Sequence, residues 1–96
     1  MTINWHSKAV DDLNRNIAHI AKESPQNALQ VLEKLTLLAE SLENMPYKYP
    51  KEPVYDRENV RFVAKWSFKI IYRIEGDAIY ILRVFNTNQD PNRVTE

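Results

Sequence analysis

The chain has no cysteine. Disulfides and thiolate chemistry are therefore excluded, and a reducing cytoplasm is the expected setting. It has one glycine, yet 44% of its residues are hydrophobic and 27% are charged, the balance of a folded globular chain rather than a disordered one. No apolar run approaches the roughly 18 residues of a membrane span. The first residues, Met1-Thr2-Ile3-Asn4-Trp5, lack the basic and apolar regions of a signal peptide. Net charge is absent too, with 13 Lys+Arg against 13 Asp+Glu. The chain as a whole is no magnet for nucleic acid, so any such site must come from local segregation of charge. Only two histidines occur, His6 and His19, far apart and without clustered carboxylates. Both read as surface residues, and no metal or other cofactor is expected. No repeat, low-complexity tract or long linker divides the 96 residues, so a single domain spanning 1–96 is expected.

What is present is concentrated in Arg61-Phe62-Val63-Ala64-Lys65-Trp66-Ser67-Phe68-Lys69-Ile70-Ile71-Tyr72-Arg73-Ile74. Arg61, Lys65, Lys69 and Arg73 stand four positions apart, with no acidic residue among them. Side chains of a strand alternate faces with period two, so even spacing keeps the cations within one strand on one face. A basic sheet face in a neutral chain calls for a partner, and a polyanion such as RNA is the natural candidate.

The rest of the pattern is legible element by element. Thr2 to Trp5 is a short strand candidate, with Ile3 and Trp5 facing one way. Ser7 is the expected cap of a helix whose apolar face carries Val10, Leu13, Ile17 and Ile20 and which stops near Lys22. Asp11 and Asp12 sit in its early turns, where the helix dipole favours negative charge. Ser24-Pro25 opens a second helix, since proline is tolerated at the first helical position. Its stripe is Ala28, Leu32, Leu35, Ala39 and Leu42, widened by Val31 and Leu38. Almost nothing joins the two helices, which predicts an antiparallel hairpin. Met45 to Arg57 is a proline-interrupted loop. Strands are predicted over Asn59 to Lys65, Phe68 to Glu75 and Ala78 to Asn86, joined by the short links Trp66-Ser67 and Gly76-Asp77. The tail from Thr87 is polar and irregular. The fold class is therefore α+β, in the order β-α-α-β-β-β. The N-terminal strand and helical hairpin are expected on one face of a small, mainly antiparallel sheet whose other face is open.

This order and these residues resemble the RelE/ParE superfamily of bacterial type II toxin–antitoxin toxins (plasmid stabilisation proteins). The likeness rests on Trp5 followed by Ala9, Asp12 and Leu13; on Ser24-Pro25-Gln26-Asn27-Ala28; and on Leu42-Glu43-Asn44-Met45-Pro46. It continues through Asn59-Val60-Arg61, Phe68 to Ile74, Ile79 to Phe85, and Asn88-Gln89-Asp90-Pro91. The resemblance implies one of two activities. RelE-like members are metal-independent, ribosome-dependent endoribonucleases that cleave mRNA. ParE-like members poison DNA gyrase without catalysis of their own. Both are neutralised by a cognate antitoxin. An inactive member retained as a binding module is a third reading. A free toxin is also expected to self-associate as a homodimer through surface normally covered by its antitoxin.

On the nuclease reading, the cations would stabilise a phosphorane while an acid and a base move protons. Lys69, Arg61 and Arg83 are then the catalytic candidates. Lys65, Arg73 and Trp66 are candidates for binding RNA or a partner. For each cation the plain alternative is an ordinary solvated or ion-paired surface group. Trp66 reads first as a hairpin anchor or antitoxin contact. At the end of the last strand, where many nuclease relatives place a histidine, tyrosine or further cation, this chain has Asn86, Thr87 and Asn88. None of these titrates near neutrality, which favours the gyrase reading. Tyr72 and Tyr80 read as core residues.

Overall fold

A computed structural model describes residues 1–88 of the chain. Thr87 and Asn88 form a turn. The remainder of the polar tail, with Gln89-Asp90-Pro91, lies outside the described residues. Six elements follow one another: β1 (Thr2–Trp5), α1 (Ser7–Ala21), α2 (Pro25–Ser41), β2 (Val60–Lys65), β3 (Phe68–Glu75) and β4 (Ala78–Asn86). The order is the expected β-α-α-β-β-β, and the strands lie β1-β4-β3-β2. β1 runs parallel to β4, and the other two pairings are antiparallel.

The helix ends follow from capping chemistry. Ser24 Oγ accepts the Asn27 N–H at 3.1 Å, and Pro25 takes the first helical position of α2. At α1 the cap falls one residue before the expected serine. His6 leaves β1 in an extended conformation, and its Nδ1 accepts the Lys8 N–H at 3.1 Å. An imidazole nitrogen is an acceptor as good as a hydroxyl here, so Ser7 becomes the first helical residue.

The buried side of α1 also differs by a small rotation. Ala9, Asp12, Leu13 and Asn16 are buried, whereas Val10 is 37% exposed. Ala9, Leu13, Ile17 and Ile20 keep the helical period without Val10, and Asp12 turns inward because β4 supplies it with donors. The stripe of α2 is as expected, with Ala28, Leu35, Leu38, Ala39 and Leu42 buried. Leu35, Leu38, Ala39 and Leu42 meet Val63, Phe68, Ile70, Tyr72, Ile74, Ile79, Ile81 and Val84 of the sheet in one apolar layer. Leu35, fully buried at its centre, would cost about 2–5 kcal/mol on truncation to alanine.

The second face of the sheet is not open along its whole length. Val60, Ile71, Leu82 and Phe85, with Phe62 and Tyr80 beside them, form a smaller apolar cluster there. Part of the loop before β2 folds back along that strand. Glu52 N–H donates to Val60 O at 2.9 Å, and Phe62 N–H donates to Pro50 O at 3.1 Å. Residues 50–52 thus extend the sheet beyond β2 and bring Glu52, fully buried, onto this outer face.

Candidate functional site

The position of each cation follows from two local features of the hairpins. The first is the β2–β3 turn. Trp66 and Ser67 both have positive φ, 54° and 68°, as a two-residue turn with the twist of its strands requires. That turn pairs Lys65 with Phe68, Ala64 with Lys69 and Arg61 with Tyr72. Residues directly opposite share a face. Arg61 and Lys65 therefore lie on the side of Tyr72 and Phe68, towards the helices, and Lys69 and Arg73 lie on the outer side. The evenly spaced cations do not make one basic face. Even spacing holds within a strand, but a two-residue turn pairs odd positions with even ones.

The second feature is a bulge in β4. Ile71 pairs with Arg83, and the next residue, Tyr72, pairs with Ile81, which leaves Leu82 as an extra residue. Strict alternation from the buried Ile79 and Ile81 would send Arg83 into the helix-side core. The extra residue resets the alternation, so Val84 goes to the core and Arg83 joins the outer side. β1 ends its pairing at Ile81, and α1 meets the exposed edge of β4 beyond it. Asp12 there accepts the Val84 N–H at 3.0 Å and the Arg83 Nε and Nη2 at 2.7 and 3.0 Å. Arg15 adds its charge at 3.5 Å from the same carboxylate.

The candidate residues thus occupy three separate environments. Lys69 is buried; its Nζ donates to Glu52 Oε1 at 2.8 Å and lies 4.4 Å from the Phe62 ring centroid. The other Glu52 oxygen accepts the N–H groups of Val54 and Tyr55 at 2.7 and 3.0 Å. Burial pushes the Glu52 carboxyl up, but the Lys69 hydrogen bond, the two backbone donors and the ammonium charge outweigh it. The net effect holds Glu52 below its ordinary value. Arg83 and Arg73 share the outer face with Lys69. Arg83 rests on Phe85 at 4.7 Å, and Arg73 rests on Tyr80 at 5.0 Å with the Glu75 carboxylate 3.3 Å from its Nε.

Arg61 sits elsewhere and clamps the loop. It donates to Tyr49 O at 3.1 Å, to Glu58 O at 2.9 Å and to the Glu58 carboxylate, and it stacks on Tyr47. Lys65 lies 4.9 Å from the ring of Trp66, which Lys34 approaches from α2 at 5.6 Å. Trp66 is 47% exposed and borders a small apolar cleft with Val31, Leu35 and Phe68.

The tyrosines are placed by the same pairing. Tyr72 is fully buried among the helices, and its hydroxyl donates to Pro46 O at 2.6 Å. Burial pushes its pKa well above the ordinary value, against the pull of the Arg61 charge. Tyr80 belongs to the outer apolar cluster.

Two residues of this arrangement carried no functional assignment from the sequence. Asp12 had a usable signal, since it shares the helical face of Ala9, Leu13 and Asn16. Glu52 had none, because a proline-broken loop has no periodicity to show which side chain turns inward.

Comparison with known proteins bears on the fold and the family. The family model described as the ParE toxin of the type II toxin–antitoxin system parDE matches residues 3–91. A solved chain from the chromosomal ParDE TA system of P. aeruginosa is 25% identical and superposes with a TM-score of 0.72. That likeness covers 90% of this chain and 95% of the other. No curated protein matches. The strand order and the helical hairpin agree with this assignment, and the chain belongs to the ParE family of toxins of type II toxin–antitoxin systems.

Proposed function

We propose that this toxin inhibits growth by acting on DNA gyrase, without catalysis of its own, and is neutralised by a cognate antitoxin. The observation that carries this reading is the Lys69–Glu52 pair. A metal-free ribonuclease must present uncommitted cations to a phosphorane, together with groups that exchange protons near neutrality. Here the best-placed lysine is buried against a carboxylate at 2.8 Å. Arg83 is held by Asp12, and Arg61 points to the other side of the sheet. Tyr72, the buried phenol closest to Arg61 in the β2–β3 pairing, keeps its proton far above pH 7. Asn86, Thr87 and Asn88, at the end of β4, have no proton to exchange at that pH. This arrangement suits a rigid docking surface better than an acid–base site. Because gyrase acts on the chromosome, such a toxin would work in the bacterial cytoplasm.

The test is a supercoiling assay with purified toxin, gyrase and relaxed plasmid. Inhibition of supercoiling and accumulation of cleaved DNA are expected, both reversed by the antitoxin. Failure of both at high toxin excess overturns the proposal. In cells, DNA synthesis should stop before protein synthesis after induction. The reverse order would return Lys69, Arg61 and Arg83 to candidacy as nuclease residues at the ribosome.

A further inference from the structure

A cavity of about 220 Å³ lies over the β4 bulge, lined by His6, Lys8, Tyr55, Arg73, Leu82 and Arg83. Its walls come from the start of α1, from β3, from the bulge and from the loop that folds over the outer face. Three of these side chains are cations at neutral pH, and no carboxylate is among the described residues that line it. The outward turn of Arg83 depends on the bulge, and Asp12 holds its guanidinium from α1. Arg73 enters from β3, its guanidinium stacked on Tyr80 at 5.0 Å and the Glu75 carboxylate 3.3 Å from its Nε.

The other donors are available by construction. His6 Nδ1 accepts the Lys8 N–H, so the neutral ring carries its proton on Nε2 and presents it as a donor. Tyr55 adds a phenol. The N-terminus of α1, a helix of 15 residues, adds its partial positive charge beside Lys8. Donors that converge from four elements suit a tetrahedral oxyanion better than a planar carboxylate, and guanidinium forks match phosphate oxygens.

We infer that this cavity binds a phosphate of nucleic acid, with Lys8 supplying charge, Arg73 and Arg83 acting as guanidinium donors already ion-paired to Glu75 and Asp12, and His6 and Tyr55 as the neutral donors. The choice of duplex DNA as carrier rests on the gyrase reading. The toxin would then grip the DNA backbone beside the enzyme as well as the enzyme itself.

The test is fluorescence anisotropy of a labelled DNA duplex with purified toxin, without gyrase, across a range of salt. Binding should weaken as salt rises. In the Lys8→Gln/Arg73→Gln variant affinity should fall about tenfold or more, and the slope of log K against log salt should drop by roughly one. Lys34→Gln, beside Trp66 on the helix side, is the control for charge alone and should keep the wild-type slope. Inorganic phosphate should displace the duplex better than chloride at equal ionic strength. Tighter binding of a 5′-phosphorylated duplex than of its unphosphorylated twin would assign the cavity to a terminal phosphate. Equal binding would assign it to the backbone, and either result supports the inference.

Wild-type failure to bind, equal binding by the double variant, or equal weakening by Lys34→Gln overturns the inference. A phosphate effect no greater than that of chloride does the same. Gyrase poisoning by the double variant at wild-type strength, with duplex binding lost, would leave the gyrase reading standing and remove the proposed grip on DNA from it.

Discussion

Replacing Glu52 by alanine should be among the most damaging single changes outside the apolar layer. Glu52 is fully buried, and its removal strands the Lys69 ammonium, whose side chain is only 11% exposed. Breaking a buried pair from one side costs about 3–5 kcal/mol, because the surviving charge stays desolvated. The lower end applies here. The Phe62 ring still faces the ammonium at 4.4 Å, and Val54 and Tyr55, which lose an acceptor, lie in a loop that water reaches. A loss of about 3 kcal/mol would be a large share of the ~5–15 kcal/mol typical of a domain. Urea denaturation should show it as a lower midpoint at unchanged slope. The double variant Glu52→Gln/Lys69→Met removes both charges and should recover to within about 1 kcal/mol of wild type; with the single variants Glu52→Gln and Lys69→Met it closes a cycle that isolates the coupling. The pH dependence has a definite sign. Since the folded carboxyl lies below its ordinary value of 4.5, the pair's contribution is complete above that pH. It fades as pH falls through the depressed value, so wild type and Glu52→Gln should converge in acid. A cost below about 1 kcal/mol for Glu52→Ala, with no coupling in the cycle, would refute the reasoning and mean that Lys69 reaches water freely.

Three further outcomes follow from the same structure. Asp12→Ala leaves the Arg83 guanidinium and the Val84 N–H without their shared acceptor, and should cost about 3 kcal/mol or more in the same urea assay. Tyr72→Phe removes the hydrogen bond to Pro46 O and should cost about 1 kcal/mol near neutral pH. Because the folded phenol's pKa is raised, that advantage of wild type should shrink once the unfolded chain ionises above its ordinary pKa of 10.0, as melts at rising pH would show. Ser67→Gly should stabilise by about 1 kcal/mol, since Ser67 holds a φ of 68° that a β-carbon disfavours; a higher thermal midpoint would show it.

Much of the architecture was legible in local patterns. Ser24-Pro25 marks a helix start by itself, because a cap and a fixed φ need no distant partner. The bounds of β1, β3 and β4 and the placing of Trp66-Ser67 and Gly76-Asp77 as links came out as read, since alternation and turns are properties of neighbours in the chain. The resemblance to the toxin superfamily rested on the same order of elements. The candidate site was less legible. Parity within β2 and within β3 was correct, yet the relation between the strands depends on turn length, and the two-residue turn divided the cations. The bulge at Leu82 reversed the alternation of Arg83, and no pattern in Ile79 to Phe85 signals an extra residue.

By itself, then, the amino-acid sequence determined the elements, their order and the family, because capping, periodicity and turn chemistry act over a few residues. The tertiary structure alone decided the company each charge keeps. It paired Glu52 with Lys69 across 17 positions and Asp12 with Arg83 across 71. A buried charge needs a partner in space, and where that partner lies along the chain is set by how the layers pack.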